Sequence, residues 1–312
     1  MNQEDYQKLV SGRSTGLGPS LLRLLLGIAA CGYSLVIRLR NLLYSRGWFK
    51  AHRTNATVIS IGNITAGGTG KTPLVAWLCN EIAQNPKPKT KNRQCAILTR
   101  GYKTARGALL DEPAILAESC PDAKVVVNPD RVAGAAEAVA FGANVLIMDD
   151  GFQHRRLARD LDIVAIDATM PFGYGKILPA GLLREPVIAL KRADAVVITR
   201  SDQAPEAQLT DIEKTIRGCK SDMVIARSIH APLCAIDAEA KQIDLEELKG
   251  KKVFAFCGIG NPHAFLNTVK DLGVNLLGSQ VFDDHHHYTN GCLAEICGQA
   301  QRLGADLALT TQ

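Results

Sequence analysis

The sequence contains few aromatic residues and lacks several patterns that mark whole classes of protein. Phe, Trp and Tyr together make up 5% of its 312 residues, which disfavours the stacked aromatic platforms of single-strand nucleic-acid binders. The nine cysteines include no pair at C-x-x-C spacing, so neither a zinc ribbon nor a thioredoxin-like redox motif is indicated. Internal repeats and low-complexity tracts are also missing from the sequence. We therefore expect no nucleic-acid partner.

The bulk composition is that of an ordinary globular protein. Hydrophobic residues make up 46% and charged residues 21% of the chain, and the formal net charge is +5. This modest excess is compatible with an anionic lipid or a phosphorylated substrate. The cysteine count is odd, and several cysteines, such as Cys95 and Cys257, lie within apolar runs. We therefore expect reduced thiols in a reducing compartment.

One apolar segment near the N-terminus differs from the rest of the chain. Between Arg23 and Arg38 lie 14 residues without a charge, fewer than the roughly 20 that a membrane-spanning helix needs. The following stretch combines basic residues with interfacial aromatics, namely Arg38, Arg40, Arg46, Lys50, Arg53, Trp48 and Phe49. This pattern predicts a membrane-associated helical segment over residues 1–55, anchored in a cytoplasmic leaflet. A buried helix of the soluble core is the alternative.

From residue 57 onward, short apolar strands alternate with helical patterns. The predicted strands cover residues 57–61, 95–99, 124–128, 145–148, 163–166 and 195–199. Strands that alternate with helices build parallel sheets covered on both faces. The sequence therefore predicts an α/β fold, with a doubly wound, mostly parallel sheet over residues 56–225. The alternation restarts near residue 226, which predicts a smaller C-terminal α/β domain over residues 226–312.

A glycine-rich loop connects the first predicted strand to the first predicted helix. It reads T-A-G-G-T-G-K-T over residues 65–72, in the strand–loop–helix setting of a P-loop NTPase. Glycines let backbone N–H groups converge on phosphate oxygens, and the helix N-terminus adds a favourable dipole. The expected nucleotide contacts are Gly67, Gly68, Thr69, Gly70, Lys71 and Thr72. Among them, Lys71 would reach the β and γ phosphates, and the Thr72 hydroxyl would bind Mg²⁺.

The loop departs from the strict G-x-x-x-x-G-K-[ST] pattern, because Thr65 stands where that pattern has its first glycine. The paired glycines before G-K-T are similar to the variant loop of the ArsA/MinD-like branch of P-loop proteins. A membrane-associated ATPase of that kind is therefore an alternative function. Against this alternative, the ArsA/MinD class usually carries a second lysine just before the glycines, and this chain has Ala66 there.

The apolar run at 145–148 ends in two carboxylates, Asp149 and Asp150. A carboxylate at the C-terminal end of a parallel strand lies beside the phosphate loop and can hold Mg²⁺ directly or through water. Adjacent residues point in different directions, so we expect one aspartate to serve the metal and the other a neighbouring group. The sequence leaves open which is which. Together the two motifs predict a site for ATP and Mg²⁺.

The set of motifs resembles the lipid A 4′-kinase family along nearly the whole chain. The matching segments are S-I-G-N-I-T-A-G-G-T-G-K-T-P (60–73), T-R-G-Y (99–102), D-E-P (111–113), D-R (130–131), M-D-D-G-F-Q-H (148–154), P-F-G-Y-G-K-I-L-P-A-G-L-L-R-E-P (171–186) and F-D-D-H-H-H-Y (282–288). The resemblance implies transfer of the γ-phosphate of ATP to the 4′-hydroxyl of a tetraacylated glucosamine disaccharide 1-phosphate. It also implies work at the cytoplasmic face of the bacterial inner membrane, with the lipid surface as a partner.

The same resemblance implies roles for individual residues. Asp111 of D-E-P and His285 of the histidine segment match the family's catalytic pair, in which a carboxylate beside an imidazole helps to take the proton of the acceptor hydroxyl. Arg131 is expected near the reacting phosphates, and Arg184 with Glu185 near the nucleotide or the metal. The chain ends in A-L-T-T-Q, where the family's last strand would continue.

Overall fold

The computed structural model describes residues 3–84, 94–101, 111–283 and 286–311. The chain divides into two compact units, one of Leu9–Ser228 and one of Met1–Lys8 with Ile229–Gln312. Each unit contains a parallel sheet of its own. The three sets of domain bounds derived from the sequence stay a prediction.

The larger unit is built on a seven-stranded sheet in which every neighbouring pair of strands is parallel. With strands numbered in chain order, the order across the sheet is β3 (Lys124–Val127), β2 (Cys95–Thr99), β4 (Val145–Asp149), β1 (Thr57–Asn63), β5 (Leu161–Asp167), β6 (Ala195–Thr199) and β7 (Val224–Arg227). The predicted parallel sheet is therefore confirmed. Strand β7 is not predicted from the sequence, because this edge strand is short and largely exposed.

Helices cover both faces of this sheet. Helices α1 (Gln3–Val10) and α2 (Leu17–Ser45) precede the sheet in the chain. The helices that pack on it are α3 (Lys71–Gln84), α4 (Asp111–Ser119), α5 (Arg131–Ala140) and α6 (Glu206–Cys219). Along β1, Val58 packs into a core with α5, whereas Ile59 and Ile61 pack into a second core with α3 and α4. This alternation follows from the two-residue period of a strand. Because both faces are covered, the sheet is doubly wound and its strands read as continuous apolar runs.

One side of helix α2, which we call its inner face, packs against the rest of the larger unit. This face consists of Ala30, Tyr33, Ile37, Asn41 and Tyr44, which recur every three or four residues and therefore lie on one side of the helix. Ala30 and Ile37 are buried there. Tyr33, Asn41 and Tyr44 contact loops that follow the strands of the sheet. The inner face is thus a mixed apolar and polar contact surface.

The opposite side of α2, which we call its outer face, is apolar and exposed. It consists of Leu17, Leu21, Leu24, Ile28, Leu35, Leu39 and Leu42. By length and composition, this 29-residue helix could cross a membrane. It is longer than its uncharged core because it continues through Arg23 at one end and Arg38 at the other.

The second unit has the predicted α/β character, and its smaller sheet is parallel. Its strands lie in the order β11 (Asn275–Val281), β10 (Lys252–Cys257) and β12 (Leu307–Leu309), and its helices are α7 (Pro262–Asp271) and α8 (Asn290–Leu303). Phe254 and Phe256 of β10 pack with α8, whereas Val253 and Ala255 pack with α7. A short antiparallel ribbon, β8 (Ala235–Ile236) and β9 (Gln242–Ile243), precedes the sheet in the chain.

Candidate nucleotide-binding and phosphoryl-transfer site

The candidate site lies at the edge of the larger sheet where its strands end. All the strands of this sheet run in the same direction, so their C-terminal ends meet at one edge. The glycine-rich loop follows β1 at this edge. Asp149, the last residue of β4, lies opposite Ile61 in the neighbouring strand β1. The fold therefore brings together the two nucleotide-binding motifs that the sequence predicts.

The glycine-rich loop has a backbone conformation that favours glycine. Gly67 and Gly70 have φ values of 111° and 74°, in the region that other residues rarely adopt. Lys71 and Thr72 are the first residues of helix α3, so the free amide groups of the helix N-terminus lie at the end of the loop. This arrangement can bind an anionic phosphate group.

Residues at the end of β6 hold the loop in place, and none of them was predicted as a site residue from the sequence. The Thr199 hydroxyl donates to the carbonyl of Thr69 at 2.9 Å. Arg200 Nη1 donates to the carbonyl of Gly68 at 2.9 Å and pairs with the buried carboxylate of Asp167. The available signal was a threonine–arginine pair at the C-terminal end of a predicted strand, which is the edge where ligands bind in such sheets.

The departure at Thr65 has a structural reason. Thr65 is buried and forms an isolated antiparallel bridge with Leu183. On either side of this bridge, the Ala66 N–H donates to the Leu182 carbonyl at 2.7 Å, and the Arg184 N–H donates to the Ile64 carbonyl at 2.7 Å. The bridge holds position 65 in an extended conformation. Threonine suits it better than glycine, because glycine loses more conformational freedom on folding. The start of the loop is thereby paired with the L-L-R segment.

Asp149 is almost completely buried, and its Oδ1 has no hydrogen-bond partner among the described residues. Burial raises the pKa of this carboxyl to about 6, and the charge of Glu112 also raises it, whereas Lys71 and Arg131 oppose the shift. A buried carboxylate oxygen without a partner is a group that a hard cation can satisfy. Within the described ranges, no group of three or more His, Cys, Asp or Glu is arranged to hold a metal ion. Mg²⁺ commonly takes one or two carboxylates together with substrate phosphates.

Asp150 has different surroundings from its neighbour. Its φ of 50° is uncommon for a residue other than glycine. Arg184 Nη1 donates to both carboxylate oxygens of Asp150 at 2.8 Å, and Lys71 Nζ lies 3.7 Å from Oδ1. Burial alone would raise the pKa of Asp150, but the charges of Lys71 and Arg184 outweigh it, so the pKa lies below its usual value. The two adjacent aspartates thus have separate partners.

Arg131 is fixed beside the same strand end. Asp130 caps helix α5 by accepting backbone hydrogen bonds in the first turn, which makes Arg131 the first helical residue. Its Nη1 donates to the Asn128 carbonyl at 3.0 Å, and its Nη2 donates to the Asp149 carbonyl at 3.3 Å. The guanidinium therefore lies next to the aspartates, where a transferring phosphoryl group would need positive charge.

Glu185 is fully buried, and its partners differ from those of Asp150. Asn41 Nδ2 donates to its Oε2 at 2.8 Å, Arg192 Nη1 lies 2.9 Å from the same oxygen, and Arg40 Nη2 lies 3.6 Å from Oε1. Consecutive residues of the L-R-E-P segment thus have different partners, since Arg184 binds Asp150. A contact of Glu185 with nucleotide or metal stays a prediction.

The predicted catalytic pair is only partly described. Asp111 begins helix α4, but its side chain lies outside the described residues, and so does His285. The neighbouring Glu112 is close enough for its charge to raise the pKa of Asp149, which places the D-E-P segment beside the candidate site. The roles of Asp111 and His285 stay predictions.

Comparisons with known proteins agree with this arrangement. Residues 22–312 match the family described as Tetraacyldisaccharide-1-P 4'-kinase. The tetraacyldisaccharide 4'-kinase of Anaeromyxobacter sp. (strain K) is 38% identical over 303 residues, covering 91% of this chain and 78% of that protein. The protein of the same name from Geobacter metallireducens is 36% identical, covering 93% of this chain and 87% of its own length.

A solved structure is similar over nearly the whole chain. It is the "apo" form of LpxK from Aquifex aeolicus in complex with ATP, with a TM-score of 0.66 and 28% sequence identity. The alignment covers 93% of this chain and 88% of that one. The match of the family over residues 22–312, the identity to its named members and this similarity of fold agree with one another. The chain belongs to the tetraacyldisaccharide-1-phosphate 4′-kinase family.

Proposed function

We propose that this chain transfers the γ-phosphate of ATP to the 4′-hydroxyl of a tetraacylated glucosamine disaccharide 1-phosphate. The observation that carries the proposal is the convergence of the glycine-rich loop, Asp149, Asp150 and Arg184 at one sheet edge. P-loop ATPases in general share the glycine-rich loop and a carboxylate at the end of a strand, whereas the L-R-E-P segment that supplies Arg184 carries the resemblance to this kinase family. The structural relative in complex with ATP supports ATP as the phosphoryl donor.

The phosphate-binding residues have complementary tasks. The amides of the loop and of the α3 N-terminus would bind the β and γ phosphates, and Lys71 would neutralise part of their charge. Arg131 would stabilise the charge that develops on the transferred group, because it lies beside the aspartates in a buried setting. Arg184 would keep Asp150 paired and so leave Lys71 available to the phosphates.

Mg²⁺ fits Thr72 and Asp149 better than Asp150. Asp149 has an unpaired buried oxygen, whereas both oxygens of Asp150 accept from Arg184. When bound, the ion would neutralise phosphate charge and orient the γ-phosphate. Asp150 would instead hold Arg184 and Lys71, and reach the metal at most through water.

Asp111 and His285 are proposed as the groups that handle the acceptor proton. A sugar hydroxyl is a weak acid, so a positioned base speeds its attack on the γ-phosphate, typically by about 10²- to 10⁴-fold. An Asp–His pair suits this task, because the carboxylate orients the imidazole and raises its pKa.

The lipid surface is proposed as the place of work, at the cytoplasmic face of the inner membrane. The outer face of α2 is apolar and exposed, and exposed basic residues follow it, namely Arg46, Lys50 and Arg53. Apolar side chains would enter the interface while basic ones meet anionic headgroups. Flotation with anionic vesicles tests this. Ile28→Ser with Leu35→Ser should reduce the bound fraction, and unchanged binding would argue against α2 as the anchor.

The kinase assay follows radiolabel from γ-labelled ATP into detergent-dispersed disaccharide 1-phosphate lipid. We expect Lys71→Ala and Asp111→Ala each to lower the transfer rate by at least about 100-fold. The matched controls are Lys214→Ala and Asp211→Ala, two exposed residues on helix α6, which should retain the parent rate.

The possible results separate three conclusions. Labelled lipid with both losses supports the kinase and the role of Asp111. Labelled lipid that is insensitive to Asp111→Ala keeps the kinase and removes Asp111 as the base. Phosphate release without labelled lipid would instead indicate a membrane-associated ATPase.

A further inference from the structure

Helix α2 is joined to the nucleotide site by polar contacts as well as by apolar packing. We propose that α2 is a positioning element of this site and that Asn41 is its positioning residue, acting through Glu185 and Arg184. This inference rests on the proposed kinase function for its catalytic readout. It assigns α2 a role inside the larger unit that is separate from binding a lipid surface.

Asn41 contacts two segments that are distant in sequence. Its side-chain amide donates to Glu185 Oε2 at 2.8 Å, across 144 residues, and its backbone carbonyl accepts from Arg155 Nη1 at 2.8 Å, across 114 residues. Arg155 directly follows the D-D-G-F-Q-H segment, and Glu185 belongs to L-R-E-P. One residue of α2 therefore connects the two segments that carry Asp150 and its partner.

Tyr33, two turns earlier on the inner face, supports the same connection. Its hydroxyl donates to the backbone carbonyl of Arg184 at 3.2 Å. The helix thus holds Arg184 by its main chain and Glu185 by its side chain. The Arg184 side chain itself binds Asp150.

The contact between Asn41 and Glu185 is important because Glu185 is buried. The carboxylate is fully enclosed and is matched by Asn41 together with Arg192 and Arg40. A buried charge is placed by its partners, because an unmet charge in such surroundings is strongly unfavourable. We therefore expect a change at Asn41 to displace Glu185, and with it the adjacent Arg184.

The effect on nucleotide binding follows from competition for Lys71. Arg184 occupies both oxygens of Asp150 at 2.8 Å, while Lys71 lies at the longer distance of 3.7 Å. If Arg184 withdraws, Lys71 becomes the main counter-charge of Asp150 and is less available to phosphate. Loss of the Asn41 contact should therefore weaken ATP binding, even when no lipid is present.

The test exchanges donor and acceptor across the contact. Asn41→Asp places a second carboxylate against Glu185, and adding Glu185→Gln restores one amide and one carboxylate with the same total charge. The first measurement is equilibrium binding of a fluorescent ATP analogue without lipid. The second is kcat and the lipid KM in detergent, with thermal unfolding recorded for each variant. Thr210→Ala, which removes an exposed hydroxyl of α6, is the control for substitution on a helix surface.

We expect Asn41→Asp to weaken ATP-analogue binding and to lower kcat by about tenfold each, within the range for a hydrogen bond to a charged group. The lipid KM should stay within about twofold of the parent value, and the double variant should recover most of both losses, because directly coupled sites are non-additive. A helix that only anchors the protein predicts the reverse, with unchanged ATP binding and a raised lipid KM.

Two results would overturn the inference. One is ATP-analogue binding by Asn41→Asp within twofold of the parent. The other is a loss that Glu185→Gln does not relieve, since Asn41 would then act by another route or by general destabilisation. A parent protein that binds the analogue and shows the coupling, but never labels lipid, would refute the kinase function while leaving the coupling intact.

Discussion

Arg184 Nη1 lies 2.8 Å from both carboxylate oxygens of Asp150, whereas Lys71 of the phosphate loop lies 3.7 Å from the same group. The arginine is thus the principal partner of the carboxylate. It comes from a segment that is itself paired with the start of the loop through Thr65 and Leu183. The loop that carries Lys71 and the segment that carries Arg184 are therefore held together by backbone pairing.

Replacing Arg184 should impair nucleotide binding, although this residue lies outside the glycine-rich loop. Arg184→Gln leaves Asp150 with Lys71 as its main partner, so we expect about tenfold weaker binding of ATP, consistent with one charge-assisted interaction. Arg184→Lys should lose less, because it keeps the charge. Calorimetric titration with ATP measures both, and Arg217→Gln on the exposed surface of α6 is the control. ATP binding by Arg184→Gln as tight as the parent's would contradict this account.

The two aspartates should respond oppositely to neutralisation in the nucleotide-free protein. The pKa of Asp149 is raised from 3.8 to about 6, so between those values the folded state holds a proton that the unfolded state has lost. Stability from this group is therefore lost as pH rises through that window. At pH 7 the buried charge destabilises the fold by about 3 kcal/mol, and Asp149→Asn should recover part of that amount.

Asp150→Asn provides the matched comparison. Its pKa is lowered by Lys71 and Arg184, so its ionised form stabilises the fold above the unfolded pKa, and this stability is lost on acidification. Asp150→Asn should therefore lower the denaturant midpoint at pH 7, where Asp149→Asn raises it. Equal shifts of the same sign in urea unfolding would refute the difference between the two sites.

His154 should make the larger unit sensitive to mild acid. Burial, together with the charges of Arg131 and Arg159, lowers its pKa from 6.5 to about 4. The folded state then binds fewer protons than the unfolded state between these values, so stability falls as pH decreases from 6.5 towards 4. His154→Gln should flatten this dependence, while His52→Gln, at an exposed position, should not. Thermal unfolding measured every half pH unit would show the difference, and parallel curves for His154→Gln and the parent would exclude the assignment.

Gly62 should not tolerate a side chain. A Cβ there would lie 2.6 Å from both the Cβ and the backbone nitrogen of Phe152, and a backbone atom cannot rotate away. We expect Gly62→Ala to destabilise the protein by about 3 kcal/mol and to weaken ATP binding, because Phe152 follows the aspartates. Gly218→Ala in α6, where nothing lies within 4 Å, should raise stability slightly, by less than about 1 kcal/mol. A Gly62→Ala variant as stable as the parent would show that the backbone at Phe152 can shift without cost.

The sequence predicted the elements whose apolar pattern reflects burial on both faces of the sheet. Strands β2 and β6 end at the predicted residues, and the loop between β1 and α3 has the predicted setting. Such strands can be read from sequence because their residues are buried or half-buried on both faces of the sheet. Strand β7 and helices α4 and α6 were missed. Strand β7 is a largely exposed edge strand, α4 is short, and α6 is mostly polar with three buried apolar residues.

The site was predictable where one local motif supplies the chemistry. Lys71, Asp149 and Asp150 could be assigned because strand ends and glycine loops have fixed geometry. The contacts of Thr199, Arg200 and Asn41 could not, because each depends on which distant segment packs beside it. Asn41 and Glu185 are separated by 144 positions, and no periodic signal in the sequence relates the two.

The separation of the inner and outer faces of α2 also bears on how a water-soluble form of this protein should be made. Deleting residues up to 45 would remove the apolar outer face. It would also remove the hydrogen bonds of Asn41 to Glu185 and of Tyr33 to Arg184. Redesigning Leu17, Leu24 and Leu35 with charged residues would change only side chains that are already exposed. A redesigned helix, rather than a truncated one, is thus the rational starting material for crystallisation and inhibitor screening in the absence of detergent.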